Sequence, residues 1–130
     1  MRVPVSIRMR YFMADKQALV DSGATDNFIH TRFARRLGLK TMPLEKPKQI
    51  YNIDNTSNKA GSITHSLELK VTTKKQDKVM QFLVTNIGHE DILLGYPWLV
   101  TFEPKFKWKS AIIKTAALPI ILTSTIPVPS

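Results

Sequence analysis

The run Ala18-Leu19-Val20-Asp21-Ser22-Gly23 constrains this chain more than any other stretch. Consecutive apolar residues read as a buried strand, and Ser-Gly breaks that strand into a tight turn. A carboxylate at the mouth of such a strand stands at the edge of low dielectric, where its charge is costly unless compensated. Ser22 adds a hydroxyl for nearby groups, and Gly23 lets backbone approach a ligand or a second copy of itself. Taken alone, the tripeptide reads more simply as an Asx-type turn. The residues that follow it, Ala24-Thr25-Asp26-Asn27-Phe28-Ile29, and a second run, Ile92-Leu93-Leu94-Gly95, tip the balance towards a functional site. An all-apolar strand ending at glycine is typical of a fully buried central strand.

Period-two patterning organises most of the remainder. Val3, Val5, Ile7, Met9 and Tyr11 alternate with polar residues as a half-buried strand, Ala14-Asp15-Lys16 reads as a turn, and 17–20 returns as the strand that delivers Asp21. Residues 27–30 can continue extended, with Thr31 capping a short helix over 32–37 that Gly38 stops; one longer helix from Asn27 is the competing reading. Pro43 and Pro47 mark an irregular connection. Strands at 49–53 and 62–72 flank the turn-rich Asp54-Asn55-Thr56-Ser57-Asn58-Lys59, which makes a long hairpin with a polar, projecting tip. Ile63, His65, Leu67, Leu69 and Val71 are assigned to one face of its second strand. After a turn at 74–78, strands follow at 79–85 and 92–94, a short helix at 97–102 and a strand at 111–114. From Ala116 the chain is rich in Pro, Ser and Thr and reads as a tail. Seven to nine short strands with two short helices predict an all-β domain, closed or orthogonally packed.

Composition narrows the classes. With 130 residues, 43% hydrophobic and 22% charged, the chain suits one folded domain with a modest core. It has no cysteine, hence no disulfide framework and no thiolate chemistry. His30, His65 and His89 are far apart and lack metal-ligand spacing, so neither a metal nor a cofactor is expected. The net charge of +9 raises nucleic-acid binding. The cations are nevertheless scattered over Arg8 and Arg10, 32–36, Lys46 and Lys48, 74–78 and 105–109, with no Gly-rich phosphate loop. Solvated surface charge is the reading, with nucleic acid allowed as a partner but not required. The first ten residues lack a signal-peptide pattern, and the longest apolar stretch, 116–128, is short for a span and contains Pro119 and Pro127. A soluble chain without a membrane partner is expected.

Leu19-Val20-Asp21-Ser22-Gly23-Ala24-Thr25, followed much later by Ile92-Leu93-Leu94-Gly95, resembles the paired signatures of retropepsin-like aspartic proteases. The likeness is greatest to the protease of gypsy-type LTR retrotransposons, in residues 21–29 and again in 92–108, and it extends over about residues 3–114. The resemblance implies an acid-protease half-barrel of orthogonal β-sheets with a flap hairpin and one or two short helices, functional as a symmetric homodimer. Residues 1–115 would form that domain and 116–130 a C-terminal extension or linker. By the same likeness Asp21 matches the catalytic aspartate, Ser22 the residue whose hydroxyl bonds across the subunit interface, and Gly23 the glycine lining the site. Ala24, Thr25 and Asp26 match positions that engage substrate. Residues 92–95 match the strand behind the active-site loop, with Ile92 counted among the substrate contacts. Ile53, Asp54, Asn55 and Thr56 fall in the flap, whose polar tip lacks the glycines of viral relatives, and Tyr96-Pro97 stands where many viral enzymes have Gly-Arg.

Asp15, Asp26, Asp54, Asp77 and Asp91 are not followed by Ser/Thr-Gly, so one chain carries half of a two-aspartate site. A two-fold homodimer follows, and the resemblance, in which terminal strands interleave at the interface, implies 1–5 and 112–125 as candidate interface strands. The function so implied is an aspartic endopeptidase of a retroelement polyprotein, using a water activated by two Asp21 carboxylates across the dimer axis. Its substrate would be a peptide or Gag-Pol-like polyprotein, and its place the cytoplasm, inside retroelement particles or as part of a polyprotein. The alternative is a catalytically silent retropepsin-like dimerisation or peptide-binding module, against which the intact Asp21-Ser22-Gly23 weighs.

Overall fold

Alternation at Val3, Val5 and Ile7 puts one face of strand β1 (Arg2–Arg8) into the core and turns Pro4 and Arg8 outward. The computed structural model describes residues 2–9, 13–49, 62–73, 76–102 and 120–124. Within them β1 is followed by β2 (Met13–Val20), β3 (Asn27–His30), helix α1 (Thr31–Arg36), β4 (Met42–Lys48), β5 (Ile63–Thr72), β6 (Asp77–Thr85), β7 (Ile92–Leu94), helix α2 (Tyr96–Phe102) and β8 (Ile120–Ser124).

One sheet closes on itself. Seven strands form the ring β5-β6-β3-β7-β2-β1-β8, returning to β5, and β4 is an extra strand on β5. The long β5 makes closure possible by dividing one edge between two neighbours. Its first half pairs with β4, as Met42↔Ser66 and Lys48↔Ile63, and its second half pairs with β8, from Leu69↔Ser124 to Thr72↔Ile121. A single closed barrel thus stands where two orthogonal sheets were one expectation. Closure leaves fewer open edges for unwanted pairing.

The barrel interior holds the main core, in which Ile7, Ala18, Ile29, Val71, Phe82, Ile92, Leu94, Ile120 and Leu122 are fully enclosed. Helix α1 adds Phe33 and Ala34, and α2 adds Trp98, Leu99 and Phe102. Strand alternation sends intervening residues to the opposite face of β3, β6 and β7. There Phe28, Leu83 and Ile63 form a second, smaller cluster joined by Ala24, Leu44, Ile87 and Leu93.

Several local expectations give way to pairing. Ala14, Asp15 and Lys16 lie inside β2, in register with Ile7, Ser6 and Val5, and Ser6 Oγ donates to Asp15 Oδ1 at 2.8 Å. Ladder formation overrides the weak strand propensity of those residues. The segment holding Pro43 and Pro47 is a strand, and its register shift between Pro43 and Lys48, on the edge of the sheet, is where proline is tolerated. Residues 27–30 are extended, which excludes the long helix. The cap of α1 is His30, not Thr31: its Nδ1 accepts from the Arg32 N–H at 2.9 Å. The helix ends where Gly38 takes a φ of 68°, with Gly38 N–H on the Arg35 carbonyl and Leu39 N–H on that of Ala34. In β5 the expected face breaks at His65, which is exposed while Ser66 is buried, because the strand crosses there from the second cluster to the main core.

Part of the segment expected to be a tail is a barrel strand. β8 runs parallel to β1, as Val5↔Ile120 through Arg8↔Thr123, and seats Ile120 and Leu122 in the core. The polar hairpin tip at 54–59, the strand expected at 111–114 and the boundary between 115 and 116 lie outside the described residues. Truncation at one β8 position tests its seating. Leu122→Ala should lose about 2–5 kcal/mol of stability by urea unfolding, whereas an unchanged midpoint would show that this strand does not fill the barrel.

Candidate active site

Strands β2 and β7 run parallel, with Leu19↔Leu93 and Val20↔Leu94 in register, so Asp21 and Gly95 emerge together at the same end. Buried backbone at such an exit needs hydrogen-bond partners, and the two loops supply them to each other. Asp21 N–H donates to the Leu94 carbonyl at 3.0 Å, and Tyr96 N–H to the Ala24 carbonyl at 2.9 Å. Gly95 N–H donates to Oδ1 of the buried Asn27 at 2.8 Å. The approach is so close that a Cβ on Gly95 would lie 2.2 Å from the Asp26 carbonyl oxygen. Glycine is therefore required here by space, and its packing holds the 21–26 turn in one shape.

The turn presents its carboxylate in a defined pose. Ala24 N–H closes on the Asp21 carbonyl at 3.1 Å, and Gly23 N–H donates to Asp21 Oδ1 at 2.9 Å. Asp21 is half-buried, while Ser22 and Gly23 are exposed beside it. Among the described residues Asp21 is in no ion pair. Asp26 differs: its Oδ2 accepts from Lys48 Nζ at 2.7 Å and from Thr25 Oγ1 at 3.0 Å. The side chain of Lys48 is 47% exposed and that of Asp26 20%. Such a pair contributes little net stability, but it ties the last residue of β4 to the loop.

Asp21, Ser22, Gly23, Ala24, Thr25 and Asp26 are thus brought together. Ile92 is not on this surface, because its side chain is fully enclosed in the main core. The next residue, Leu93, turns the other way and joins Ala24 and Phe28 in the second cluster. Ile53, Asp54, Asn55 and Thr56 lie outside the described residues. Asn27 and Lys48 were not among the sequence candidates. A lone amide opening the apolar Phe28-Ile29 run was the available signal for Asn27, whereas nothing in the sequence pointed Lys48 at Asp26. Among the described residues no three His, Asp or Glu side chains converge to hold a metal ion. No helix among them is long and apolar enough to cross a membrane.

A closed seven-stranded barrel with an extra strand, two short helices and an Asp-Ser-Gly turn braced from behind by an apolar-Gly strand is a retropepsin-like half-barrel. Residues 17–118 match the model of the PEG10/RTL1 protease domain. The chain belongs to that family, a retropepsin-like group derived from the proteases of gypsy-type retrotransposons. Membership supports a proteolytic role at the level of the family.

The interlock yields two stability predictions. Gly95→Ala should destabilise by about 3 kcal/mol or more, since the clashing atom is backbone and must move. Asn27→Ala, which strands the Gly95 N–H, should lose about 1–3 kcal/mol and speed hydrogen exchange at that amide. Unfolding midpoints equal to the parent's would contradict the described packing.

Proposed function

We propose that the chain is a homodimeric aspartic endopeptidase in which Asp21 of each copy supplies half of the catalytic pair. The observation that carries this reading is the Asp21 carboxylate itself, posed by the Gly23 N–H at the end of a buried strand and neutralised by no cation among the described residues. In this reading one Asp21 carboxylate is half of the site, and a second copy brings the other across a two-fold axis. The pair then holds a water. One carboxylate takes a proton from it as the water oxygen attacks the amide carbon, and its mate gives a proton to the carbonyl oxygen. The resulting diol collapses with proton transfer to the leaving nitrogen.

Neighbouring residues take supporting roles in this proposal. Ser22, exposed beside Asp21, would bond its twin's loop through its hydroxyl, and Gly23 would leave room for an extended peptide. Ala24, Thr25 and Asp26 line the strand-like substrate, with Lys48 holding Asp26 in place. Ala24, Phe28 and Leu93 share an apolar cluster beside the loop, which suits a substrate with apolar side chains near the scissile bond. Ile92 acts from behind, as core. The flap residues Ile53, Asp54, Asn55 and Thr56 would cover the peptide, and a polyprotein that includes the enzyme is the natural substrate.

Asp21→Asn should lower peptide hydrolysis by about 10²–10⁴-fold or more while leaving unfolding and sedimentation unchanged. Mixing that variant in excess with the parent should depress activity below simple dilution, because mixed dimers lack one carboxylate. Retained hydrolysis by purified Asp21→Asn would overturn the assignment.

A further inference from the structure

Helix α1 buries Phe33 and Ala34 and leaves Arg32, Arg35 and Arg36 exposed. Positions i, i+3 and i+4 share a helix face, and like charges at those spacings repel. Arg35 and Arg36 recover part of that penalty at the carbonyl end of the helix. Arg32, in the first turn, gains nothing from it, and no acidic residue stands there. The fold then adds a further cation. Lys16, from β2, lies 5.4 Å from the centre of the Phe33 ring, and its Nζ is 3.3 Å from Asp91 Oδ2. The other oxygen of Asp91 is 3.8 Å from Arg32. Asp91 is therefore shared between two cations, and the adjacent Glu90 is engaged by Arg2. Among the described ion pairs, Lys16, Arg32, Arg35 and Arg36 have one carboxylate between them.

The residue type is informative as well. The chain has 13 lysines and six arginines, yet this helix holds three arginines and no lysine. Solubility is served by either residue. A planar guanidinium fork is suited to engaging two oxygens of one phosphate. A protein partner would want an apolar anchor at the centre of the contact, and the exposed large apolar side chains among the described residues, Met13, Met42, Val79, Tyr96 and Val100, are all outside α1.

We propose that the exposed face of α1, with Lys16 at its edge, docks the phosphate backbone of a nucleic acid without regard to base sequence. With the one ring of the helix, Phe33, buried, the contact is electrostatic rather than stacked. This binding is separate from peptide hydrolysis and stands whether or not Asp21 is catalytic.

The test is fluorescence anisotropy of a labelled, mixed-sequence single-stranded RNA of about twenty nucleotides against the full chain. Three phosphate contacts predict a slope of log affinity on log salt near −2, a loss of roughly twentyfold between about 50 and 200 mM salt. The triple variant Arg32→Gln, Arg35→Gln, Arg36→Gln should bind at least about tenfold more weakly at the lower salt and lose most of the slope. A matched variant elsewhere on the barrel, Arg8→Gln, Lys46→Gln, Lys78→Gln, removes the same charge and should stay within about twofold of the parent if the α1 face is the site. Replacing the three arginines by lysine should retain the slope, which separates lost contacts from a misfolded helix. Equal losses in the two glutamine triples would reduce the effect to net charge and overturn the proposal. So would poly-glutamate competing as well as RNA, which would assign the face to an acidic protein segment.

Discussion

Where two parallel strands leave the barrel side by side, their backbone polar groups have no further ladder to enter. The chain resolves this by pressing the turn after β2 against the glycine after β7, with Asp21, Gly95 and Tyr96 each donating a backbone N–H across the junction. A Cβ at position 95 would fall inside the Asp26 carbonyl, so the contact admits one residue type. From it follow the start of β3 at Asn27, the first turn of α2 at Tyr96 and the direction in which Asp21 points.

The same alternation that builds the barrel separates structure from surface. Ile92 and Leu94 face the core, and Leu93 between them faces Phe28 and Ala24 on the side of the loop. One three-residue strand thereby anchors the barrel and joins the second cluster on its other face. β5 performs a comparable division along its length, holding β4 with one half and β8 with the other. The residue that ties β4 to the loop, Lys48, is the last residue of that strand.

Charge is sorted by place. Near the loop, Asp26 is taken by Lys48, while Asp21 is in no ion pair among the described residues. At α1 the imbalance is reversed, with cations in excess of carboxylates. Scattered along the chain, these residues read as ordinary solvated charge; the fold brings Lys16 and Asp91 to the helix and makes a local surface of them.

The local pattern by itself determined the strand character of β1, β6 and β7, the tight turn at Asp21-Ser22-Gly23, the stop at Gly38 and the short second helix, because each depends on neighbours within a few residues. The paired motifs also carried the family. Tertiary structure alone decided what depends on partners distant in sequence: that Ala14, Asp15 and Lys16 extend as strand opposite β1, that the proline-bearing 42–48 segment is tolerated on an edge, that Ile120 and Leu122 close the barrel, and that Asn27 caps Gly95. Cross-strand hydrogen bonds and shared burial outweigh intrinsic preference at such positions, and neither can be seen until the strands are laid side by side.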